Sequence, residues 1–350
     1  PTLPHWSATV REQYAPAGQA FTPPDQPHSP YYPQRGLYSS KDPEALQAQF
    51  SQLARAGVHS AMLSWWGQTN ASVRRDSQGV DTDILIPMVL DAAAAAKMRV
   101  SWHIEPYGGR SAQSVLADLR YLHQMYGNHT AIWRHGPKRR PVVFLYDVSM
   151  EHAGATAAEQ EATIAAWGSA LADLRGSAED ALLLSLYHDR RDVEFVTRTG
   201  IDGGYTYFAS DGFTEGSNPA HWPTAQREMS SAGKLFVPSV GPGYDDSRIR
   251  PWNRANTKHR DGGKYYEGMW RAALAVSPDM VTITSYNEWG EGTQIEPATS
   301  HTTAAGDAYA DYSPHAPDHY LALTRRWADE AASVCSRTRT TSESKAADEL

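Results

Sequence analysis

Cysteine is almost absent from this chain, which has one, Cys335, among its 350 residues. No disulfide can therefore form within the chain, and no cluster of cysteines can bind a metal ion. No run of about 18 apolar residues occurs, so the sequence contains no candidate membrane-spanning helix. The formal net charge is -8, and no basic cluster is long enough to predict binding to nucleic acid. With 41% hydrophobic and 21% charged residues, the chain suits one large domain with a sizeable core, or at most two smaller ones.

The two ends of the chain carry weak folding signals. Pro1 is not an initiator methionine and no signal-like apolar core follows it, which indicates the cut end of a longer chain. Residues 1–40 are rich in Pro, Tyr and Ser, and we expect them to form an irregular arm. Residues 336–350 are rich in Ser, Thr, Lys and Glu, which predicts a disordered tail after a single domain over residues 1–335.

The tail and two internal tripeptides carry signals of the secretory pathway. Residues 347–350 read Ala-Asp-Glu-Leu, one residue different from the Lys-Asp-Glu-Leu retrieval signal of the endoplasmic reticulum. Residues 70–72 (Asn-Ala-Ser) and 128–130 (Asn-His-Thr) match the acceptor pattern for N-glycosylation. Each pattern also arises by chance, so they favour a lumenal location without proving it.

Short apolar runs alternate with helix-like segments, which predicts a parallel sheet with crossover helices. The predicted strands cover residues 58–65, 98–104, 141–146, 181–187, 203–208, 235–240 and 280–286. The predicted helices cover residues 43–56, 84–97, 112–126, 155–175, 223–232, 264–275 and 318–333. This pattern is typical of an α/β domain.

Seven predicted strands are one fewer than a (β/α)8 TIM-like barrel needs. A doubly wound sheet should instead show a glycine-rich phosphate turn after an early strand, and residues 64–67 (Ser-Trp-Trp-Gly) are not such a turn. Nearly every predicted strand ends in polar and aromatic residues, which a barrel would gather into one pocket. We therefore predict a (β/α)8 barrel.

The most informative segment, residues 284–296, follows the last predicted strand. It places Glu288 and Glu291 three residues apart, with Asn287 and Trp289 beside them. Paired carboxylates next to an aromatic ring are what acid/base chemistry on a sugar requires. The alternative is a polar loop with ordinary surface acids, but the interleaved Asn and Trp at a strand exit favour a catalytic site. An inverting hydrolase, with a water between the carboxylates, is a further alternative.

Eight motif-bearing segments run through the chain in order, between about residues 5 and 330. They include Trp-His-Ile-Glu-Pro-Tyr at 102–107 and Asn-Glu-Trp-Gly-Glu-Gly-Thr-Gln-Ile-Glu at 287–296, and the others lie at residues 31–43, 63–65, 126–129, 204–209, 237–244 and 250–253. On these segments the chain resembles the endo-α-1,2-mannosidases of glycoside hydrolase family 99, and it looks closer to the eukaryotic Golgi-type members than to bacterial ones.

The resemblance implies a (β/α)8 barrel that cleaves an internal α-1,2-mannosidic bond with retention of configuration. By motif match, Glu288 is the base that removes the proton of the 2-hydroxyl, and Glu291 is the acid that protonates the leaving oxygen and later activates water. O2 would attack C1 and form a 1,2-anhydro sugar without a covalent sugar–enzyme bond. The implied substrate is a glucosylated or mannosylated mannose on an N-glycan arm, and no cofactor or metal is implied.

Two departures from the family pattern matter. The family usually begins its barrel with an aromatic strand that would precede Pro1, so we expect the barrel to lack its first strand in this chain. Gly290 stands between the two acids, where the family usually has His. These departures favour one alternative function, a catalytically inactive, lectin-like relative, while the retained acids argue against it.

Substrate binding is assigned to residues at several strand ends. Glu105 is expected to hold sugar hydroxyls or to tune Glu288, with a structural acid paired to an Arg as the alternative. His103 is more consistent with a barrel-wall histidine than with a catalyst, and no third ligand supports a metal site with Glu105. The other assigned residues are Trp66, Tyr107, Tyr207, Trp252, Asn253 and Asn287.

Three of these assignments leave alternatives open. Trp66 is preferred to Trp65 for stacking on the sugar, since Trp65 could belong to the core, and the choice between glucose and mannose at that subsite stays open. Tyr207 is preferred to Tyr205 because strand residues alternate between faces. The segment from Arg250 to Asn256 either lines the product side or forms a loop held by its own hydrogen bonds.

We expect a glycan as partner, no nucleic acid and no metal, a Golgi or endoplasmic reticulum location, and a membrane anchor only before Pro1. The sequence does not predict an oligomeric state.

Overall fold

The structure is a computed structural model, which describes residue 6 and residues 21–69, 75–76, 78–149 and 156–348, with only the backbone for 334–348. Its centre is a sheet of parallel strands, in the order β2 (Ser60–Trp65), β3 (Arg99–Ile104), β5 (Arg140–Leu145), β6 (Leu182–Leu186), β7 (Gly203–Tyr205) and β8 (Leu235–Val237). A short strand, β4 (Arg134–His135), pairs antiparallel with β5. The parallel strands follow each other in chain order, which is the arrangement of a barrel rather than of a doubly wound sheet.

The barrel continues through a second parallel pair. Strand β9 (Ser239–Val240) pairs with β10 (Thr282–Ile283), and only Pro238, which has no N–H to donate, separates β9 from β8. All seven predicted strands are therefore present. Within the described residues no strand bridges the remaining gap between β10 and β2, so hydrogen bonds do not close the barrel there. The expected loss of a first strand concerns residues before Pro1 and stays a prediction.

The helices lie between successive strands and begin at recognisable caps. Asp42 caps the first helix by accepting from the Glu44 N–H, and Ser111 and Thr156 start later helices with capping boxes. The helices are α1 (Pro43–Arg55), α2 (Ile86–Ala95), α3 (Ala112–Tyr126), α4 (Ala157–Leu174), α5 (Arg191–Thr199), α6 (Trp222–Ser231), α7 (Lys264–Ala275) and α8 (His319–Asp348). Short 3-10 helices cover Asp83–Leu85, Pro219–His221, Pro251–Asn256 and Asp261–Gly263.

Three features differ from the sequence prediction. Helix α5 was not predicted, because it is short and its few apolar side chains are interspersed with charged ones. Part of the expected irregular arm forms strand β1 (Tyr32–Pro33), which pairs antiparallel with β11 (Ala298–Thr299) and so ties the arm to the segment after the two acids. Helix α8 continues past the predicted end at residue 333 to Asp348, because no Gly or Pro interrupts it. The division into a domain and a tail stays a prediction, and residues 70–72, which form one glycosylation pattern, lie outside the described residues.

The core has two layers that follow from strand alternation. In β6, Leu182, Leu184 and Leu186 fill the barrel interior, while Leu183 packs outward against the helices. In the same way Phe144 of β5 points inward. None of the helices described here is both long and apolar enough to cross a membrane. The barrel is thus a packed support that holds the strand ends in fixed positions.

A truncation inside the barrel tests this packing. Leu184 is fully buried, at 0% exposure, among the interior side chains. We expect Leu184→Ala to lower the free energy of unfolding by about 2–5 kcal/mol, because it removes apolar contacts and leaves a cavity. The matched control is Met125→Ala on α3, where the side chain is 55% exposed, and it should change the free energy by less than about 0.5 kcal/mol. Denaturant unfolding of both variants checks this, and equal losses would contradict it.

Candidate active site

The two acids lie on a loop that folds back on itself after β10. The Ser285 N–H donates to the Thr293 carbonyl at 2.9 Å, and the Ile295 N–H donates to the Ser285 carbonyl at 2.9 Å. Inside this closed turn the Glu288 N–H donates to Ser285 Oγ at 2.8 Å. The sequence thus forms a short, internally bonded loop at the carboxyl end of the strand, which is the edge where barrels carry their active sites.

The two acids have different surroundings. The Glu288 side chain is exposed, whereas the Glu291 side chain is enclosed, with 20% exposure, and accepts a hydrogen bond from Arg250 Nη1 at 2.8 Å. Burial raises the pKa of the Glu291 carboxyl, Arg250 lowers it, and the charges of Asp246 and Glu105 raise it further. Net, the pKa of Glu291 lies above its ordinary value, which suits a group that must carry a proton.

Arg250 is held in place by a buried acid. Asp246 is 0% exposed and lies 3.2 Å from Arg250 Nη1. The same carboxylate accepts hydrogen bonds from the Tyr244 hydroxyl at 2.7 Å and from Asn253 Nδ2 at 3.0 Å. The Asp245 N–H also donates to the Glu291 carbonyl at 2.8 Å. The segment from Tyr244 to Asn253 therefore fixes both the backbone and the side chain of Glu291.

A third carboxylate, Glu105, follows strand β3. Its Oε1 lies 2.6 Å from His103 Nδ1 and accepts a hydrogen bond from Ser64 Oγ at 2.8 Å. His103 Nε2 lies 2.7 Å from the hydroxyl of Tyr205, which is fully buried. Burial raises the pKa of Tyr205 well above its ordinary value, so its hydroxyl donates to Nε2 and His103 donates from Nδ1 to Glu105. Both hydrogen bonds to Glu105 fall on Oε1.

Tyr207 brings the three carboxylates together. Its ring stacks on the His103 ring, with centroids 5.4 Å apart, and meets Tyr146 edge to face at 5.2 Å. Burial raises the pKa of Tyr207 well above its ordinary value, and the charges of Glu291, Glu105 and Glu288 add to that rise. The charges of carboxylates that follow β3 and β10 therefore act on one phenol, as expected if the strand ends share one cleft.

A fourth carboxylate, Glu296, supports the loop from behind. It is 2% exposed and accepts hydrogen bonds from Tyr38 Oη at 2.6 Å, Gln49 Nε2 at 3.1 Å and Trp289 Nε1 at 3.0 Å. Burial raises the pKa of Glu296, and these three donors lower it in part. Since Trp289 lies between the two acids, Glu296 fixes the loop to helix α1 and to the N-terminal segment.

Arg260 holds the other side of the loop. It is buried, and Nη2 donates to the carbonyls of Gly292 and Gln294, at 2.8 Å each. Its guanidinium carbon lies over three tyrosine rings, at 4.6 Å from Tyr31, 5.1 Å from Tyr312 and 4.6 Å from Tyr320. Its charge is thus stabilised by carbonyls and ring faces. Within the described part of the chain, no three His, Cys, Asp or Glu side chains are grouped so that they could hold a metal ion.

Comparison with known proteins gives this cleft its context. The sequence model of the family described as glycosyl hydrolase family 99 matches residues 1–333. The chain belongs to glycosyl hydrolase family 99. The resemblance seen in the sequence is confirmed, and the family makes the chain a glycoside hydrolase.

Curated relatives and a solved structure agree with this assignment. The chain is 39% identical over 335 residues to a glycoprotein endo-alpha-1,2-mannosidase-like protein of Danio rerio, covering 93% of this chain and 72% of that protein. It is 38% identical over 338 residues to the glycoprotein endo-alpha-1,2-mannosidase of Mus musculus, covering 94% and 69%. The GH99 endo-alpha-mannosidase structure from Bacteroides thetaiotaomicron matches with a TM-score of 0.80 at 36% identity, covering 95% of this chain and 93% of that chain. The predicted barrel is thereby confirmed.

The structure brings some of the predicted binding residues of this family 99 chain to the cleft. Glu105 and His103 lie there with Tyr207, and Tyr205 packs in the barrel interior. Asn287 is exposed beside the acids, with Nδ2 3.3 Å from the Tyr38 hydroxyl. Among the described residues, His103 and Ser64 rather than an Arg bind Glu105, which argues against the alternative of an acid paired to an Arg.

Other predicted residues lie in different settings. Tyr107 is 2% exposed and its hydroxyl bonds to Ser114 and Asp118 of α3, so the geometry does not support the predicted contact with substrate. The sequence motif suggested that contact because the aromatic follows a strand, but the chain has already turned toward the helix layer. Trp66 is partly buried against the outer core, and its stacking role stays a prediction.

The segment around Asn253 corresponds to the second of the two interpretations offered for it. Asn253 donates to Tyr244 and Asp246, so its side chain supports Arg250 rather than reaching outward. Trp252 is 47% exposed on the same short helix, where it can still meet a ligand. Sequence reasoning missed Asp246, Tyr38 and His28, since no local pattern reveals contacts with residues far away in the chain.

Loss of one hydroxyl behind the loop tests the role of Glu296. We expect Tyr38→Phe to lower the free energy of unfolding by about 1–3 kcal/mol, because it removes the shortest hydrogen bond to a buried carboxylate. Tyr32→Phe is the matched control, since the Tyr32 hydroxyl makes an exposed 3.3 Å bond to the Pro24 carbonyl, and it should cost less than about 0.5 kcal/mol. Thermal unfolding of both measures the difference, and a Tyr38→Phe variant as stable as its control would refute the role.

Proposed function

We propose that this chain is a retaining endo-α-1,2-mannosidase that acts on glucosylated or mannosylated high-mannose N-glycans. The observation that carries the proposal is the pair of unlike carboxylates on one loop: Glu288 is exposed to the cleft, and Glu291 is enclosed with a raised pKa. Two acids in different surroundings are what separate base and acid roles require. The names of the curated relatives supply the bond type and the glycoprotein substrate.

The first step uses both acids at once. Glu288 takes the proton of the mannose 2-hydroxyl while O2 forms a bond to C1. The bond from C1 to the leaving oxygen breaks, and Glu291 gives that oxygen its proton. The product is a 1,2-anhydro sugar in the cleft, and the mannose of the leaving group departs with a new hydroxyl.

The second step restores the enzyme. Glu291, now ionised beside Arg250, takes a proton from water, and the water oxygen bonds to C1. The C1–O2 bond breaks and Glu288 returns the proton to O2. Two inversions at C1 give net retention. Arg250 supports the ionised form of Glu291 at this stage, while burial supports its protonated form at the first.

Recognition of the sugar falls to groups around the acids. The Oε2 atom of Glu105, not engaged by His103 or Ser64, is placed to accept from sugar hydroxyls. Trp66, Tyr207, Asn287 and Trp252 are the further candidates for stacking and hydrogen bonding. A lumenal location in the Golgi or endoplasmic reticulum follows from such a substrate and remains part of the proposal.

Neutralising either acid tests the function. We expect Glu288→Gln and Glu291→Gln each to slow release of disaccharide from Glc-α-1,3-Man-α-1,2-Man by about 10²–10⁴-fold, because each removes a proton-transfer group. Glu194→Gln is the control, since its side chain is 70% exposed on α5. Chromatography of the released sugars measures the rates. Wild-type protein that binds this glycan without cleaving it would overturn the proposal in favour of a lectin-like relative.

The pH profile tests the pairing of Arg250 with Glu291. Arg250 lowers the pKa of Glu291, so Arg250→Met should raise that pKa and keep the acid protonated to higher pH. The alkaline limb of the kcat/KM profile should therefore move to higher pH. The maximum rate should fall as well, because the ionised form loses its partner. Arg254→Met, on the exposed side of the short helix that follows Arg250, should leave the profile unchanged. An unshifted alkaline limb in Arg250→Met would contradict the assignment of Glu291 as the acid.

A further inference from the structure

Gly290 lies between the two acids, and the space beside it is already filled. A Cβ atom built on Gly290 would lie 2.7 Å from Nε2 and 3.2 Å from Cδ2 of His28, and 3.3 Å from Cδ1 of Ile249. Gly290 is absent from the glycines with positive φ, so its backbone does not itself require glycine. The requirement comes from His28, whose side chain is buried at 4% exposure.

The segment that carries His28 is anchored on both sides. The Tyr309 hydroxyl donates to the Pro27 carbonyl at 2.8 Å, and the Ala310 N–H donates to the Pro30 carbonyl at 3.0 Å. Pro30 also packs on the acid loop, because a Cβ on Gly292 would lie 3.0 Å from its Cγ. The imidazole is therefore held against the loop by a fixed backbone and cannot retreat as a free chain end would.

The same space beside Gly290 also borders the segment that binds Glu291. Ile249 directly precedes Arg250, which binds the Glu291 carboxylate. The Cβ space of Gly290 is thus bordered by both His28 and Ile249, and a shift of the backbone there would move the carboxylates on either side of it. Misplacement of a reacting group by about 1 Å can cost about 10²-fold in rate.

We infer that His28 is a positioning residue for the acid loop: its imidazole occupies the side-chain space of position 290 and sets the backbone between Glu288 and Glu291. The inference rests on the proposed function. It predicts that the residues tolerated at positions 28 and 290, which are far apart in the chain, depend on each other. A side chain at 290 is tolerated only when residue 28 is small, and a small residue at 28 leaves a gap beside Gly290.

The test is a four-protein cycle of wild type, His28→Ala, Gly290→His and the double variant. We expect each single variant to lower kcat by about 10–100-fold with a smaller change in KM. The double variant should be at least tenfold more active than the product of the two single losses predicts, because the imidazole returns to the same space from position 290. Gly290→Ala, which adds only a Cβ, covers the case in which Gly290→His fails to fold, and is combined with His28→Ala in the same way.

Controls separate packing at this site from general effects. Gly268→Ala on α7, where a new Cβ meets nothing within 4 Å, and His221→Ala, whose side chain is 47% exposed, should both keep wild-type kcat. Thermal unfolding shows that each variant is folded. Affinity for the uncleaved oligosaccharide is also measured for all four proteins of the cycle. This gives a second readout of the coupling between positions 28 and 290 that does not depend on catalytic activity. A wild-type protein without activity would overturn the proposed function but not the role of His28. If the two single losses in kcat simply multiply in the double variant, the role of His28 is overturned. When wild type is inactive, the same criterion is applied to the losses in affinity.

Discussion

The ion pair between Arg250 and Glu291 is the interaction on which the site depends. Burial alone would keep Glu291 protonated, and the guanidinium alone would keep it ionised. Their opposition leaves a carboxyl that can give a proton in one step and take one in the next. Arg250 can do this because Asp246, itself fully buried, fixes its position. The loop after β9 and the loop after β10 therefore work as one electrostatic unit.

Neighbours, and not sequence position, give the acids of this region their roles. Glu288 and Glu291 lie on the same short loop, yet one faces the cleft and the other is enclosed. Glu296, five residues further on, is more deeply buried but accepts three hydrogen bonds and serves the fold. Glu105 is fixed through a histidine whose tautomer is set by a buried tyrosine. Because Glu296 is buried and bonded to three donors of the protein, it belongs to the fold rather than to the cleft.

The sequence predicted the parts of this molecule that depend on local pattern. The seven parallel strands and most helices follow from apolar periodicity, and Glu288 and Glu291 from their spacing at a strand exit. The contacts that give these acids their properties could not be predicted in this way. Tyr38 and His28 reach the acid loop from about 250 residues away, and Asp246 acts through Arg250. The burial of Tyr107 against α3 could not be predicted for the same reason, since its motif does not show which way the chain turns.

Arg260 has a consequence for how the enzyme responds to its medium. Its charge is buried under tyrosine rings and bonded to two loop carbonyls, where dissolved ions do not reach it. Arg250, in contrast, is 42% exposed, and its attraction for Glu291 is open to screening. Ionic strength therefore acts on the protonation of the acid while the shape of the loop stays constant. The protein separates the charge that tunes its chemistry from the charge that holds its geometry.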